Sequence, residues 1–484
     1  MQTKILIKDE VNVTLQGLDL TTRKNLVKKF SFELPYARHL PAVRLGRWDG
    51  KVSFFTLGGS SYINLLPDIL AYLDQQGYEF ELIDQRDYRR EFAFEKVAED
   101  SYSHKTWPAG HSDAGQPIKL RDYQVDVINN FFANPQCLQE VATGAGKTLI
   151  TSVLSHRCEP YGRTIVIVPN KSLVTQTEAD YKNLGLDVGV YFGDRKEFNK
   201  THTICTWQSL NNMFKNTKNG VAEVTIQDFL AGVVCIMVDE VHMAKAEVLK
   251  TMLTGVMGMI PIRWGLTGTI PKEPFEFFAL RVSLGEVVGK LSASELQDQG
   301  VLANCEVNII QLQDHGEYKE YQKELQYLTT NEDRIKYIAS VIAEIAETGN
   351  TLVLIDRIQA GKMLEQYIPN SVFISGVTKD VDRKEQYDEV AVNDNKTIIA
   401  TYGIAAVGIN VPRLFNVVLI EPGKSFVRVI QSIGRGLRKS GDKDFVNIWD
   451  IASTCKFAKR HLTKRKQFYK EANYNFNIKK AAWC

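Results

Sequence analysis

The sequence predicts an α/β protein: two tandem domains, each a parallel sheet flanked by helices, with a small N-terminal α/β domain before them and a basic C-terminal tail after them. Three observations predict it. At 484 residues the chain is longer than one hydrophobic core usually organises. Short apolar runs alternate with helical patterns through two long blocks, the grammar of βαβ units. Basic residues also gather at one end: from Cys455 to Cys484 there are nine Lys/Arg against the single acid Glu471, within an overall charge of +2 that leaves about −6 on the rest.

Residues 1–115 form the first expected domain, mixing alternating stretches (KILIKDEVNVTL, KVSFFTL) with one helical pattern, LLPDILAYLDQQG. The Ser/Gly/Pro-rich SYSHKTWPAGHSDAGQPIKL then reads as a linker. In residues 118–290 the runs TIVIVP, THTICTW, GVVCIMVD and RWGLTGT are buried-strand candidates. The same pattern fills 300–452 with NTLVLID, SVFISG, TIIATY, NVVLIEP and FVNIWD, after a long polar helical stretch, GEYKEYQKELQYLTTNEDRIKYIASVIAEIAETG. Residues 453–484 are the tail. No short-period repeat is visible, which excludes a solenoid.

Hydrophobic residues at 44% and charged residues at 24% are ordinary for a globular chain. No run of 18 apolar residues reads as a membrane span, and the N-terminus reads as a strand rather than a signal peptide. The seven cysteines are scattered with no CxxC pair, so reduced thiols in a cytoplasm are expected rather than disulfides or zinc.

The strongest single site is ATGAGKT, Ala142–Thr148. A glycine-rich turn between strand and helix aims backbone N–H groups at a phosphate; here Thr143, Gly144, Ala145 and Gly146 would form that nest. Lys147 would neutralise the β/γ-phosphates of ATP, and the Thr148 hydroxyl would ligate Mg²⁺. Val141 stands where the strict GxxxxGK[ST] pattern has its first glycine, so an ordinary glycine-rich turn stays open for this segment alone. VVCIMV ends in Asp239-Glu240-Val241-His242. Asp239 would hold Mg²⁺ and Glu240 would take a proton from attacking water; solvated acids at a strand end are the plainer alternative.

ATGAGKT with DEVH resembles motifs I and II of the DExH class of superfamily 2 helicases, whose motor is two RecA-like domains. The resemblance implies further roles. In LRDYQ, Gln124 would bond the adenine with Arg121 nearby. IVIVPNKSLVTQ (Pro169, Asn170, Lys171, Gln176) and TWQSL (Thr206, Gln208) would contact a nucleic-acid backbone. LTGT (Thr267, Thr269), with His242, would couple the ATP site to the strand. TYGIAAVGINVP resembles motif V, with Thr401 toward DNA and Gly408 and Asn410 between nucleotide and DNA. QSIGRGLR resembles motif VI: Gln431, Arg435 and Arg438 would complete catalysis from the second domain, the arginines at i, i+3 sharing one helix face. Such a finger is worth roughly 10³–10⁵ in rate. Accidental occurrence of the three strongest motifs in this order is on the order of 10⁻⁶ per chain at ordinary residue usage.

The segment ARHLPAVRLGRWDGKVSFF, with its RxGxWDG core, resembles the N-terminal region of the bacteriophage UvsW-like branch-migration helicases. That resemblance implies DNA contact through Arg44, Arg47 and Lys51 and branched DNA as substrate, including Holliday junctions, forks, D-loops and R-loops with their RNA. A monomer in a host cytoplasm is expected. A hairpin turn with a packed Trp48 is the plainer reading of the segment. In the tail, Lys464, Arg465 and the interleaved aromatics suit a phosphate-tracking surface; alternatively, Phe457, Phe468, Tyr469, Tyr474 and Phe476 dock the tail. An RNA helicase, a double-strand translocase and a non-hydrolysing DNA-binding scaffold are the competing readings of the whole.

Overall fold

The structure, a computed structural model, describes residues 2–34, 36–86, 91–109, 113–241, 246–376, 378, 385–387, 389–390, 393–404, 413–425, 429, 432–434, 436–437 and 442–483. It divides into two compact units, residues 1–141 with 146–290, and 142–145 with 291–484.

The first unit begins with β1 (Gln2–Ile7), β2 (Asn12–Gln16), β3 (Ser31–Glu33), β4 (Lys51–Ser53), β5 (Ser60–Tyr62) and β6 (Glu79–Asp84). Four of them form a sheet in the order β5-β2-β1-β6, and β3 and β4 pair antiparallel as a separate two-stranded sheet. The alternation in KILIKDEVNVTL buries Ile5, Ile7, Val13 and Leu15 on one face. The expected helix spans Leu66–Gln75 and buries Ile69 and Leu73.

This small sheet does not keep a core of its own. Phe275, Ala279 and Val282, from the helix Pro274–Leu284, belong to the same buried cluster as Phe54, Leu26 and Ile69. Among the described residues of 101–120 there is no helix or strand beyond a Thr106–Pro117 bridge, yet the stretch is anchored: Tyr102 is buried, its hydroxyl 2.8 Å from Nδ1 of His156.

The larger sheet of this unit contains β7 (Gln136–Val141), β8 (Arg163–Val168), β9 (Val188–Phe192), β10 (Arg195–Lys196), β11 (His202–Thr206), β12 (Val233–Asp239), β13 (Ile262–Thr267) and β14 (Glu286–Leu291). Their order is β10-β9-β11-β8-β12-β13-β7-β14. Neighbours from β9 to β7 run parallel, and β10 pairs antiparallel to β9. Each apolar run read from the sequence is a strand, because a parallel strand covered on both faces must be apolar throughout.

The second unit holds β15 (Asn304–Leu312), β16 (Thr351–Ile355), β17 (Ser371–Ile374), β18 (Thr397–Thr401), β19 (Asn416–Ile420), β20 (Phe445–Ser453) and β21 (Phe476–Ala481). They pair in the order β17-β18-β16-β19-β20-β15-β21, every pair parallel. The long polar helical stretch is two helices, Tyr321–Thr330 and Glu332–Ala346. Asn331 ends the first and caps the second, its side-chain oxygen accepting from Arg334 N at 2.9 Å.

The expected tail is built into this unit. Lys456–Glu471 is a helix and β21 adds to the free edge of β15. Phe468, Tyr469 and Tyr474 are buried, so the aromatics dock as the second reading of that segment has it. Arg465 corrects the expectation of a DNA contact. It is fully buried, its guanidinium donating to both Asp450 carboxylate oxygens at 2.8 Å and to Gly423 O at 2.8 Å. A buried guanidinium needs this much pairing to offset lost hydration, and nothing of it is left for a phosphate.

Phe275 is the test of the shared N-terminal core. It is 3% exposed, with its ring 5.9 Å from that of Phe54. Phe275→Ala is expected to cost about 3–5 kcal/mol, read as a shifted denaturant midpoint.

Candidate active site

β7, β13 and β12 lie side by side, and their carboxyl ends carry the glycine-rich turn, Thr267 and Asp239 respectively. This is where an open parallel sheet places a ligand, because the following helices begin there with N–H groups outward. Gly144 (φ +92°) and Gly146 (φ +81°) take the left-handed backbone that curls the turn. Gly146 is also the N-cap of the helix Lys147–Cys158 and supplies no side-chain cap, so the helix start keeps its donors for a phosphate. A Cβ on Gly146 would lie 2.6 Å from Nε2 of Gln124.

Lys147 Nζ sits 2.8 Å from Oε1 of Glu240, with both side chains largely buried. Glu240 has φ +51°, rare for a residue with a side chain, and its N–H donates to Asp239 Oδ1 at 2.9 Å. Its other carboxylate oxygen is 3.5 Å from Gly268 N. Thr267 Oγ1 donates to Thr269 O at 2.9 Å and accepts from Thr269 N at 3.2 Å, fixing the LTGT turn. One carboxylate therefore touches the residues of two other motifs, and Gly268 is a contact that sequence reading missed. Thr148 stands in the first turn of its helix, and Asp239 is half-buried at the end of β12. A hydroxyl and a carboxylate at one sheet edge are the hard oxygen donors that suit Mg²⁺ with ATP phosphates.

Gln124 is buried, its side-chain oxygen accepting from Arg121 N at 3.0 Å to close a capping box. Arg121 Nη1 donates to Tyr123 OH at 3.0 Å. Burial pushes the Tyr123 phenol up, with the Arg121 charge pulling it back.

The strand-contact candidates separate into two kinds. Lys171, Gln176, Gln208, Arg44, Arg47, Lys51 and Lys464 are exposed. Thr206, Asn170 and Pro169 are structural at least in part. Thr206 caps the helix Trp207–Lys218, and Asn170 caps Lys171–Asn183. Gln208 Nε2 donates to Pro169 O at 3.2 Å, which brings the two segments together. Trp48 donates to Lys51 O at 3.1 Å and packs on the N-terminal core beside the exposed arginines, but Trp48-Asp49-Gly50 leads from the short helix Pro41–Arg44 into β4 and is not a hairpin turn. Thr401 ends β18 in the second unit, half-buried. His242, Gly408, Asn410, Gln431, Arg435 and Arg438 lie outside the described residues.

A glycine nest, a lysine and an acid pair at the edge of a parallel sheet, followed in the chain by a second parallel α/β unit, define a nucleoside-triphosphate-driven motor. Residues 117–272 match the family described as type III restriction enzyme, res subunit, and residues 333–440 match the helicase conserved C-terminal domain. The chain belongs to the superfamily 2 helicases, an ATP-dependent family, and is UvsW-like. The ATP-dependent DNA helicase uvsW of Enterobacteria phage T4 is 26% identical over 468 residues, covering 92% of this chain and 89% of that protein. A DNA 3'-5' helicase XPB from Kineococcus radiotolerans is 23% identical over 377 residues, 74% of this chain and 64% of that one. The fold is shared with an ATP-dependent Type ISP restriction-modification enzyme, LlaBIII, solved bound to DNA (TM-score 0.56, 16% identity, 86% of this chain and 34% of that chain).

Gly146→Ala tests the turn. The left-handed backbone and the Gln124 contact together predict a cost of roughly 1–2 kcal/mol or more in stability. Weakened binding of a fluorescent ATP analogue is expected with it; undiminished binding would remove the turn from the nucleotide site.

Proposed function

We propose that this chain is an ATP-dependent DNA helicase or translocase that moves branch points in DNA, acting in phage recombination, repair and replication within the host cytoplasm. The observation that carries the motor is the Lys147–Glu240 pair at 2.8 Å, which joins the phosphate-binding lysine to the acid after β12. Similarity to a phage DNA helicase over 92% of the chain supports DNA as the track. Among the described residues no helix is long and apolar enough to cross a membrane.

The residues divide the chemistry as follows. Bound ATP with Mg²⁺ supplies the γ-phosphoryl group and the charge that draws Lys147. Lys147 would turn from Glu240 to the phosphates, and Thr148 and Asp239 would hold the metal. Glu240, released from its cation, accepts the proton of the attacking water. The Gly268 contact passes that movement of Glu240 to the LTGT turn. Lys171, Gln176, Gln208, Arg44, Arg47 and Lys51 offer exposed polar groups to the DNA backbone.

Lys147→Ala and Glu240→Gln are each expected to lower DNA-stimulated ATP turnover by about 10²–10⁴, while filter binding of DNA without nucleotide persists. Full turnover in either variant defeats the assignment. For the substrate, ATP-dependent conversion of a four-way junction is compared with a simple forked duplex and an RNA duplex. Faster work on the junction is expected; preference for RNA would reassign the track.

A further inference from the structure

The helix Lys456–Glu471 has two unlike faces. Its inner face, Ala458, Leu462, Arg465, Phe468 and Tyr469, is buried. Three pairings lock it there: Arg465 on both oxygens of Asp450, Tyr469 OH donating to Asp450 Oδ2 at 2.7 Å, and Glu324 capping its start. The Glu324 carboxylate accepts from Phe457 N at 3.0 Å and Ala458 N at 2.7 Å.

The outer face carries Lys456, Lys459, Arg460, Lys464 and Lys470, all exposed. Lys456, Arg460 and Lys464 follow one another at i, i+4, about 6 Å apart along the axis. Among the described residues none of these five forms an ion pair with a carboxylate. Some surface cations elsewhere are paired, as Lys182 is with Glu178 and Lys336 with Glu332. A cationic row left without counter-charges, on a helix fixed from behind, is suited to an outside polyanion.

At the head of this row is an open cavity of about 780 Å³, lined among others by Lys456, Lys459, Arg460, Lys319, His315 and Tyr318. The acids at its wall do not cancel this charge. Asp314 is turned inward to Arg334 and Trp483 Nε1, leaving Glu317 as the exposed one. The half-buried Tyr318 adds an aromatic wall of the kind bases stack on.

We propose that this face is a seat for single-stranded DNA: phosphates track Lys456, Arg460 and Lys464, and one nucleotide enters the cavity against Tyr318 and Lys319. It rests on the reading of the chain as a DNA motor and adds a strand-binding site in the second unit, apart from the helicase motifs. A cavity of about 780 Å³ has room for a nucleotide and favours a single strand, because a duplex keeps its bases stacked inside.

The test uses the full chain carrying Lys456→Gln, Arg460→Gln and Lys464→Gln, titrated with oligo-dT and with a blunt duplex of equal length in 50–200 mM salt, without nucleotide. Loss of three single-strand contacts is expected to lower the slope of log K against log salt by about 2. Oligo-dT affinity is expected to fall about tenfold or more at 50 mM salt, with a smaller change on duplex. An unchanged oligo-dT slope, or a loss confined to duplex, overturns the proposal. Tyr318→Ala, which keeps every cation, is expected to weaken oligo-dT without altering the slope; unaltered affinity removes the nucleotide from the cavity. Wild-type ATP turnover with and without DNA separates this from the motor itself: no stimulation sinks the DNA-motor reading, whereas stimulation with an unchanged variant slope sinks only the seat.

Discussion

The contact on which the ATP site depends is the ion pair between Lys147 and Glu240. It exists because β12 and β7 are both neighbours of β13, so the residues after them emerge one strand apart on either side of it. Sheet order, rather than nearness in sequence, brings the two together. The pair is largely buried, and an isolated charge at either position would be costly. Glu240 also adopts a left-handed backbone, a strain of order 1–3 kcal/mol that persists where surrounding contacts over-determine it. The lysine, the Asp239 carboxylate and Gly268 N supply those contacts. The proposed base is thus paired with the lysine proposed to bind phosphate. On the proposed function, a phosphate arriving at Lys147 would weaken the hold on Glu240, so that one event would both bind the fuel and prepare the base.

The second unit is organised by buried charge in a different way. Arg334 is fully buried, donating to Asp314 at 3.1 Å and to Glu421 at 2.8 Å. Burial raises the Glu421 carboxyl to about 7, against the pull of Arg334 and then Arg465. Asp450 takes the bidentate Arg465 and the Tyr469 hydroxyl. These groups sit at or just beyond the carboxyl ends of β15 and β19 and within β20, and they tie helices from distant parts of the chain to one sheet. Breaking one partner of such a set leaves an uncompensated charge, so the arrangement specifies where the last helix docks. Its outward row of cations follows from that docking, because a 16-residue helix locked along one side must present the other.

How much of this was legible follows from what each strand must bury. GVVCIMVD and NTLVLID could be read at once, since parallel strands covered on both faces are continuous apolar runs. QCLQEV, the strand that delivers the glycine turn, could not. Gln139 is buried and spends its amide on Val127 O, so polarity there marks a satisfied interior group rather than a loop. The expected DNA contact of Arg465 fails for a related reason. The charge count of the terminal segment is dominated by the outer face, while Arg465 and Tyr469 stabilise the inner one. The spacing of Lys456, Arg460 and Lys464 against Ala458, Leu462 and Arg465 was the available signal, a helical period with a cation on the wrong side. The motifs were legible because their backbone needs are unusual, as in the positive φ of Gly144 and Gly146. The Gly268 contact was not, since a backbone N–H has no signature in sequence.

Two motif residues carry buried polar atoms with no hydrogen-bond partner among the described residues: Asn170 Nδ2 and Thr269 Oγ1. Leaving such a group unpaired costs about 1–3 kcal/mol. The condition alone is not diagnostic, because Thr3 and Thr397 share it away from any motif. Asn170 differs in that its oxygen is already committed to the helix cap at Leu173 N. Serine or aspartate would cap as well without the idle amide, so the cap does not explain the asparagine. Pro169, beside it, has its carbonyl taken by Gln208, which fixes the turn and aims it. The Thr269 hydroxyl sits on the turn that Glu240 touches through Gly268, where a change of state is what the chemistry requires. Asn170 and Thr269 thus each carry one polar atom that the local turn geometry does not use.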